Sequence, residues 1–195
     1  MSKNNRTNSC GLALACLFMA TSIIPVTASD PDQTSFKHLS LADFISEDSQ
    51  LLDVKNGKVS REVLKGKFVG VYFSAHWCGP CRSFTPILQK FRDANKENFE
   101  VVFLSMDIDR ANRSWKANLA KKREYVKSAN MNWYTIDCDY PTSYKSLKKS
   151  GQRGIPTLVV FSPDGKYVTN NGKNDVKNDP KTALPSWREI VRSYR

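Results

Sequence analysis

Cysteine and histidine are scarce, with five Cys and two His among 195 residues. A structural zinc centre normally takes four such ligands, and there is no second cysteine pair to complete one around Cys78 and Cys81, so no metal is expected. Covalent haem attachment needs a histidine directly after the second cysteine, where Arg82 stands. An unbroken apolar stretch of about 20 residues, the length of a membrane-spanning helix, is also missing. Nine Gly, nine Pro and 40% hydrophobic residues exclude collagen-like and low-complexity chains. No internal repeat is apparent. Acidic residues are in deficit, 19 against 30 basic, for a formal charge of +11. Such a surplus raises the question of nucleic acid for a cytosolic chain.

The N-terminus argues for another compartment. Lys3 and Arg6 precede an apolar run over residues 11–20, and Val26-Thr27-Ala28 offers small residues where a signal peptidase reads. Residues 1–28 are therefore expected to be a signal peptide cleaved before Ser29, placing the protein in a periplasm or outside the cell. The alternative is an uncleaved membrane anchor, but Thr21, Ser22 and Pro25 interrupt the run early. Cleavage leaves 167 residues, enough for one core without staples, and a charge of +9. That charge is spread over residues 116–127, 145–153 and 166–181 and reads as solvated helix faces, so no nucleic-acid partner is expected. Cleavage also removes Cys10 and Cys16, leaving Cys78, Cys81 and Cys138. A framework of several bridges is excluded, and the small loop that Cys78 and Cys81 can close restricts the unfolded chain too little to be mainly a stabilising device.

Residues 29–46 read as an N-terminal extension that docks onto a domain spanning 47–195. Asn56-Gly57 predicts a two-residue hairpin turn, and Ser60 caps a brief helix ending near Gly66. Residues 67–75 form a near-continuous apolar run, the pattern of a central strand buried on both faces. Phe84, Ile87, Leu88 and Phe91 then recur at helical spacing, with Pro86 expected to kink the helix rather than end it. Further strands are predicted over 101–106, 133–136, 157–161 and 166–169, and helices over 112–129 and 142–150. Residues 170–181, rich in Asn, Lys and Asp, predict a mobile loop before a C-terminal helix striped with Trp187, Ile190, Val191 and Tyr194. This order gives an α/β fold, a central mixed β-sheet flanked by helices on both faces.

The cysteine pair sits where the buried strand turns into the amphipathic helix. The first turn of a helix supplies unpaired N–H groups and the positive end of the macrodipole, which favour a thiolate at Cys78. Cys81, three residues on, shares that face and can attack a mixed disulfide formed on Cys78. With Trp77-Cys78-Gly79-Pro80-Cys81 after a buried strand and Gly154-Ile155-Pro156-Thr157 before a later one, the chain resembles the thioredoxin superfamily. Residues 72–78, Arg82-Ser83-Phe84-Thr85-Pro86 and Phe99-Glu100-Val101-Val102-Phe103 look most like its tryparedoxin and nucleoredoxin branch.

The resemblance implies a thioredoxin-like fold and a catalytic pair, Cys78 attacking and Cys81 resolving. It also implies a cis Pro156 that aligns the substrate backbone, with Trp77, Gly79, Pro80 and Ile155 as further substrate-binding residues. No cofactor is implied beyond the Cys78–Cys81 disulfide. Two departures stand out. Gly79-Pro80 replaces the Pro-Pro of tryparedoxins and matches reducing thioredoxins, and Tyr72 occupies the place of the buried Asp of common thioredoxins. Proton removal from Cys81 must then use another base or water, and His76 is a candidate relay. The export signal would separate the protein from cytosolic reductants, which implies a membrane electron donor for recycling.

Other features read blandly. Cys138 lies between Asp137 and Asp139, which oppose thiolate formation, and is taken as passive. Asp107 and Asp109 are expected to start a loop and cap the next helix. Trp115, Trp133 and Trp187 are expected to be core or interface anchors. The whole predicts an exported thiol–disulfide oxidoreductase that reduces protein disulfides. Its rivals are an oxidase or isomerase on the same fold, and a binding module whose Lys121, Lys122, Lys148 and Lys149 contact acidic partners.

Overall fold

The computed structural model describes residues 33–108 and 114–194. The expected signal peptide, residues 1–28, and Asp109 lie outside the described residues. Seven strands form one mixed sheet in the order β2-β1-β5-β4-β3-β6-β7. They are β1 Leu51–Leu52, β2 Lys58–Val59, β3 Phe68–Ser74, β4 Phe99–Ser105, β5 Tyr134–Ile136, β6 Thr157–Phe161 and β7 Tyr167–Thr169. Central β3 runs parallel to β4 and antiparallel to β6. The helices are α1 Gly79–Ala94, α2 Trp115–Ser128, α3 Tyr140–Lys149, α4 Gly172–Asn178 and α5 Ala183–Arg192.

Strand period 2 divides the core between the two faces of the sheet. Val69, Val71 and Phe73 of β3 join Val102, Leu104, Val159 and Phe161 on one face, with Leu147 of α3. Phe68 and Tyr72 join Val101, Phe103, Leu158 and Val160 on the other, with residues of α1, α2, α4 and α5. All seven residues of β3 and all seven of β4 are buried, as the continuous apolar runs require. Helix α1 continues past Pro86 to Ala94 and buries Phe84, Leu88 and Phe91.

Within the expected extension, Leu39, Phe44 and Ile45 are buried in the core. Phe44 packs on Phe161 and Phe73, with ring centroids 5.0 and 6.4 Å away. Backbone bonds from Leu41 N to Gly165 O and from Tyr167 N to Leu39 O fasten this segment along the β6–β7 turn. A buried Phe of this kind contributes about 2–3 kcal/mol through its apolar area.

Several local readings need correction. The hairpin between β1 and β2 is closed by residues 53–57 rather than by two residues, since Leu52 pairs with Lys58. The Asp53 carboxylate accepts from Lys55 N and Gly57 N, both at 2.8 Å, which builds the longer loop. Helix α3 begins at Tyr140, two residues earlier than predicted, because Asp139 caps it through Thr142 N at 2.9 Å. Residues 170–181 are not a mobile loop, because α4 occupies most of them. Val176 is fully buried, and a Cβ at Gly172 would stand 2.7 Å from Val160 Cγ2 and 2.9 Å from Leu158 O, so α4 packs onto β6 at a distance only glycine allows.

Lys122 is not on a solvated face either, being only 2% exposed. Its Nζ donates to Ile136 O at 2.8 Å and to Asp137 Oδ1 at 2.6 Å. Burial pushes the Lys122 ammonium below its usual range, and Asp137 counters that. Asp137→Ala would strand a buried cation, and urea unfolding should show a loss of about 3 kcal/mol. Lys122→Met removes the donor of the Ile136 carbonyl and of a partly solvated carboxylate but strands no charge in the interior, and should cost less than Asp137→Ala; equal losses would refute this account.

Candidate redox site

The Cys78–Cys81 pair lies at the C-terminal end of β3, where the chain turns into α1. Cys78 is the N-cap of α1, and its Sγ accepts from Cys81 N at 3.2 Å. Pro80 occupies the first turn, where its missing N–H costs nothing. The two cysteines are joined as a disulfide with Cα atoms 5.2 Å apart. Cys78 is 5% exposed and Cys81 is fully buried, so substrate can approach only the first. Trp77 beside them is 54% exposed.

The loop before β6 comes back against this turn. The Ile155–Pro156 bond is cis, and Ile155 O lies 3.8 Å from Cys78 Sγ. Thr157 Oγ1 donates to Gly154 O at 2.8 Å and fixes the loop. A cavity of about 430 Å³ opens beside the disulfide, bordered by Trp77, Cys78, Pro80, Tyr144, Arg153 and Ile155 among others. The structure thus brings Trp77, Cys78, Gly79, Pro80 and Ile155 to one cavity. Pro156 follows directly in the chain, and His76 is not among the residues that line the cavity.

His76 is half-buried, with its ring 6.0 Å from that of Tyr125. Its backbone is held from two sides: His76 N donates to Asp107 Oδ1 at 2.8 Å, and Arg82 Nη1 donates to His76 O at 3.3 Å. Asp107 does not cap α2, whose N-cap is Ser114. Parallel register explains its actual role. Ser74 pairs with Ser105, so His76 and Asp107 stand two residues beyond paired strand ends. Asp107 therefore braces the turn that carries the cysteine pair from the neighbouring strand, its other oxygen accepting from Ser105 Oγ at 2.8 Å. Composition alone carries no signal for it; the strand register does.

Burial is the main influence on Asp107 and pushes its carboxyl pKa up, while the bonds from Ser105 and His76 pull it down. A group with a raised folded pKa favours folding most at low pH and loses that contribution as pH rises through the folded pKa. Asp107→Asn should therefore gain stability relative to the parent over a pH window that starts near the ordinary aspartate value of about 4 and extends upward, measured by urea midpoints. A constant difference across that window would refute the assignment.

Tyr72 heads a buried hydroxyl network beneath Cys81. Its Oη donates to Cys81 O at 3.3 Å and lies 3.0 Å from Thr85 Oγ1, which is 3.0 Å from Tyr125 Oη. Burial pushes the Tyr72 hydroxyl far up, so it serves as a hydrogen-bonding strut and not as a base at neutral pH. Cys138 is half-buried, with Sγ 3.0 Å from Ser143 Oγ. Burial pushes its thiol pKa up, with Asp139 and Asp137 adding to the effect. Trp133 and Trp187 are core residues, whereas Trp115 is 43% exposed.

A cysteine pair closed at a helix N-terminus, facing a cis-proline loop at the end of a mixed sheet, defines a thioredoxin-fold redox protein. Residues 66–167 match the thioredoxin-like family, and the chain belongs to it. It is 34% identical to tryparedoxin of Trypanosoma brucei brucei over 151 residues, covering 75% of this chain and 96% of that protein. It is 38% identical to mouse (Mus musculus) nucleoredoxin over 129 residues, 64% of this chain, but spans only 27% of that longer protein. The solved structure of tryparedoxin from Trypanosoma brucei superposes with a TM-score of 0.61 at 32% identity, covering 75% of this chain and 96% of that one.

Proposed function

We propose that the protein is an exported thiol–disulfide oxidoreductase that reduces protein disulfides through Cys78 and Cys81. The observation that carries this reading is the asymmetry of the pair: Cys78 at the cavity and capping α1, Cys81 enclosed behind it. The Cys78 thiolate attacks one sulfur of a substrate disulfide, forming a mixed disulfide and expelling the first substrate thiolate. The Cys81 thiolate then attacks the Cys78 sulfur, re-forming the Cys78–Cys81 bond and expelling the second. Two electrons pass from the dithiol to the substrate, and no bound cofactor takes part.

Trp77, Gly79, Pro80, Ile155 and Pro156 form the substrate surface, and His76 is the candidate proton relay. The Gly79-Pro80 dipeptide favours the reducing direction. Recycling requires an electron donor, for which a membrane protein on the outer side is the fitting class if residues 1–28 direct export. Insulin reduction tests the activity. The protein should accelerate it with dithiothreitol as electron source, and the pair should equilibrate with glutathione near the thioredoxin potential of about −270 mV. A potential near about −120 mV, that of a strong oxidant, would transfer the assignment to the oxidase reading.

A further inference from the structure

The cavity beside the disulfide carries aromatic and cationic groups that the exchange chemistry leaves unused. Helix α3 places Tyr140 and Tyr144 one turn apart, their rings stacked at 5.8 Å with 11° between planes. Lys148, a further turn on, holds its Nζ 5.6 Å from the centre of the Tyr144 ring. Both tyrosines border the cavity, as do Trp77 and Ile155. Trp77 and Tyr144 are two of the four exposed large hydrophobic side chains among the described residues. Exposed aromatics meeting across one groove mark a binding surface more than a folding feature.

Among the described residues that line the cavity, Arg153 is the one that carries a charge, and it is exposed. Among the described residues no carboxylate lies within ion-pair distance of it. Asp139, at the start of α3, is engaged as its cap through Thr142 N. An unpaired guanidinium beside an apolar groove complements an anionic group on the segment that enters it.

We propose that this face selects the substrate: it docks an extended polypeptide segment whose disulfide cysteine is flanked by an aromatic or large aliphatic side chain and by a carboxylate. The apolar side chain seats between Trp77 and the Tyr140–Tyr144 stack, and the carboxylate meets Arg153. The inference rests on the disulfide-exchange reading and names the substrate class for that site. Tyr140, Tyr144 and Arg153 are specificity residues, with no part in the transfer of electrons.

Peptide disulfides test it. Phe flanks the cysteine, and Glu, Gln or Lys is scanned through the three positions on either side. At low salt, kcat/KM should favour Glu over Lys by about fivefold at one position or more, with Gln between. Arg153→Glu should reverse that order. Tyr144→Ala should lower kcat/KM about threefold or more for Phe-flanked peptides relative to Ala-flanked ones. The rate with hydroxyethyl disulfide, an uncharged substrate with no flanking residues to dock, is measured for each variant, and the peptide rates are compared as ratios to it, so that any change in the cysteine pair itself divides out.

Equal rates for the Glu and Lys series, in parent and Arg153→Glu alike, would overturn the proposal while leaving disulfide reduction intact. Failure to reduce any disulfide would instead overturn the redox reading. Calorimetric binding of the same peptides with Ser in place of Cys then decides the docking claim: Glu bound more tightly than Lys supports it, and equal binding overturns it.

Discussion

Cys78→Ser should abolish insulin reduction, by at least about a thousandfold, because it removes the one cysteine among the described residues that lines the cavity. Cys81→Ala should fail in a different way. Its Cys78 remains the N-cap of α1, with helix N–H groups to stabilise the thiolate, so the first attack proceeds. The second step lacks its nucleophile, and a mixed disulfide accumulates toward one adduct per chain, visible on a non-reducing gel and released by dithiothreitol. Buried Cys81 cannot substitute for Cys78, so Cys78→Ser, which keeps Cys81, should form no adduct. Turnover persisting in Cys78→Ser, or adducts forming through Cys81 or Cys138, would defeat the mechanism.

Trp187→Ala should cost about 3–5 kcal/mol of stability, the largest effect expected away from the cysteines. Trp187 is fully buried, and its ring lies 5.6 Å from Phe91, 5.5 Å from Phe99 and 6.3 Å from Phe68. It joins α5, α1 and the sheet in one contact. Its Nε1 also donates to Asp175 Oδ2 at 2.9 Å, tying α5 to α4. Burial pushes the Asp175 carboxyl pKa up, and the Trp187 bond opposes that. Trp187→Phe keeps most of the apolar contact but removes the donor to Asp175 Oδ2, leaving the half-buried carboxylate with Asn171 Nδ2 alone, at about 1–3 kcal/mol. Urea unfolding of the three proteins should rank them parent, Phe, Ala. Equal midpoints for parent and Trp187→Phe would show that the Asp175 bond contributes nothing.

The legible parts of the chain are those in which a single physical effect outweighs the others. Continuous apolar runs with both faces buried, as in β3, β4 and β6, admit few other placements, and the cysteine pair inherits its position from the strand it follows. The illegible parts depend on tertiary contacts that override local composition. Residues 172–178 look solvated, yet Gly172 and Val176 seat them on the sheet. Lys122 looks like one of many surface lysines until Ile136 O and Asp137 are placed around it. Asp107 acts across a strand register that single-sequence reading does not reach. The tyrosines of α3 belong to the groove only because Asp139 starts the helix early enough to include Tyr140.

Competitive alkylation of the reduced chain probes most directly which sulfur receives substrate. With limiting iodoacetamide at neutral pH and peptide mass spectrometry, Cys78 should be modified at least about tenfold faster than Cys81 or Cys138, and neither Cys78 nor Cys81 should react in the oxidised protein. Reaction of Cys81 or Cys138 at the same rate as Cys78, or faster, would contradict the account.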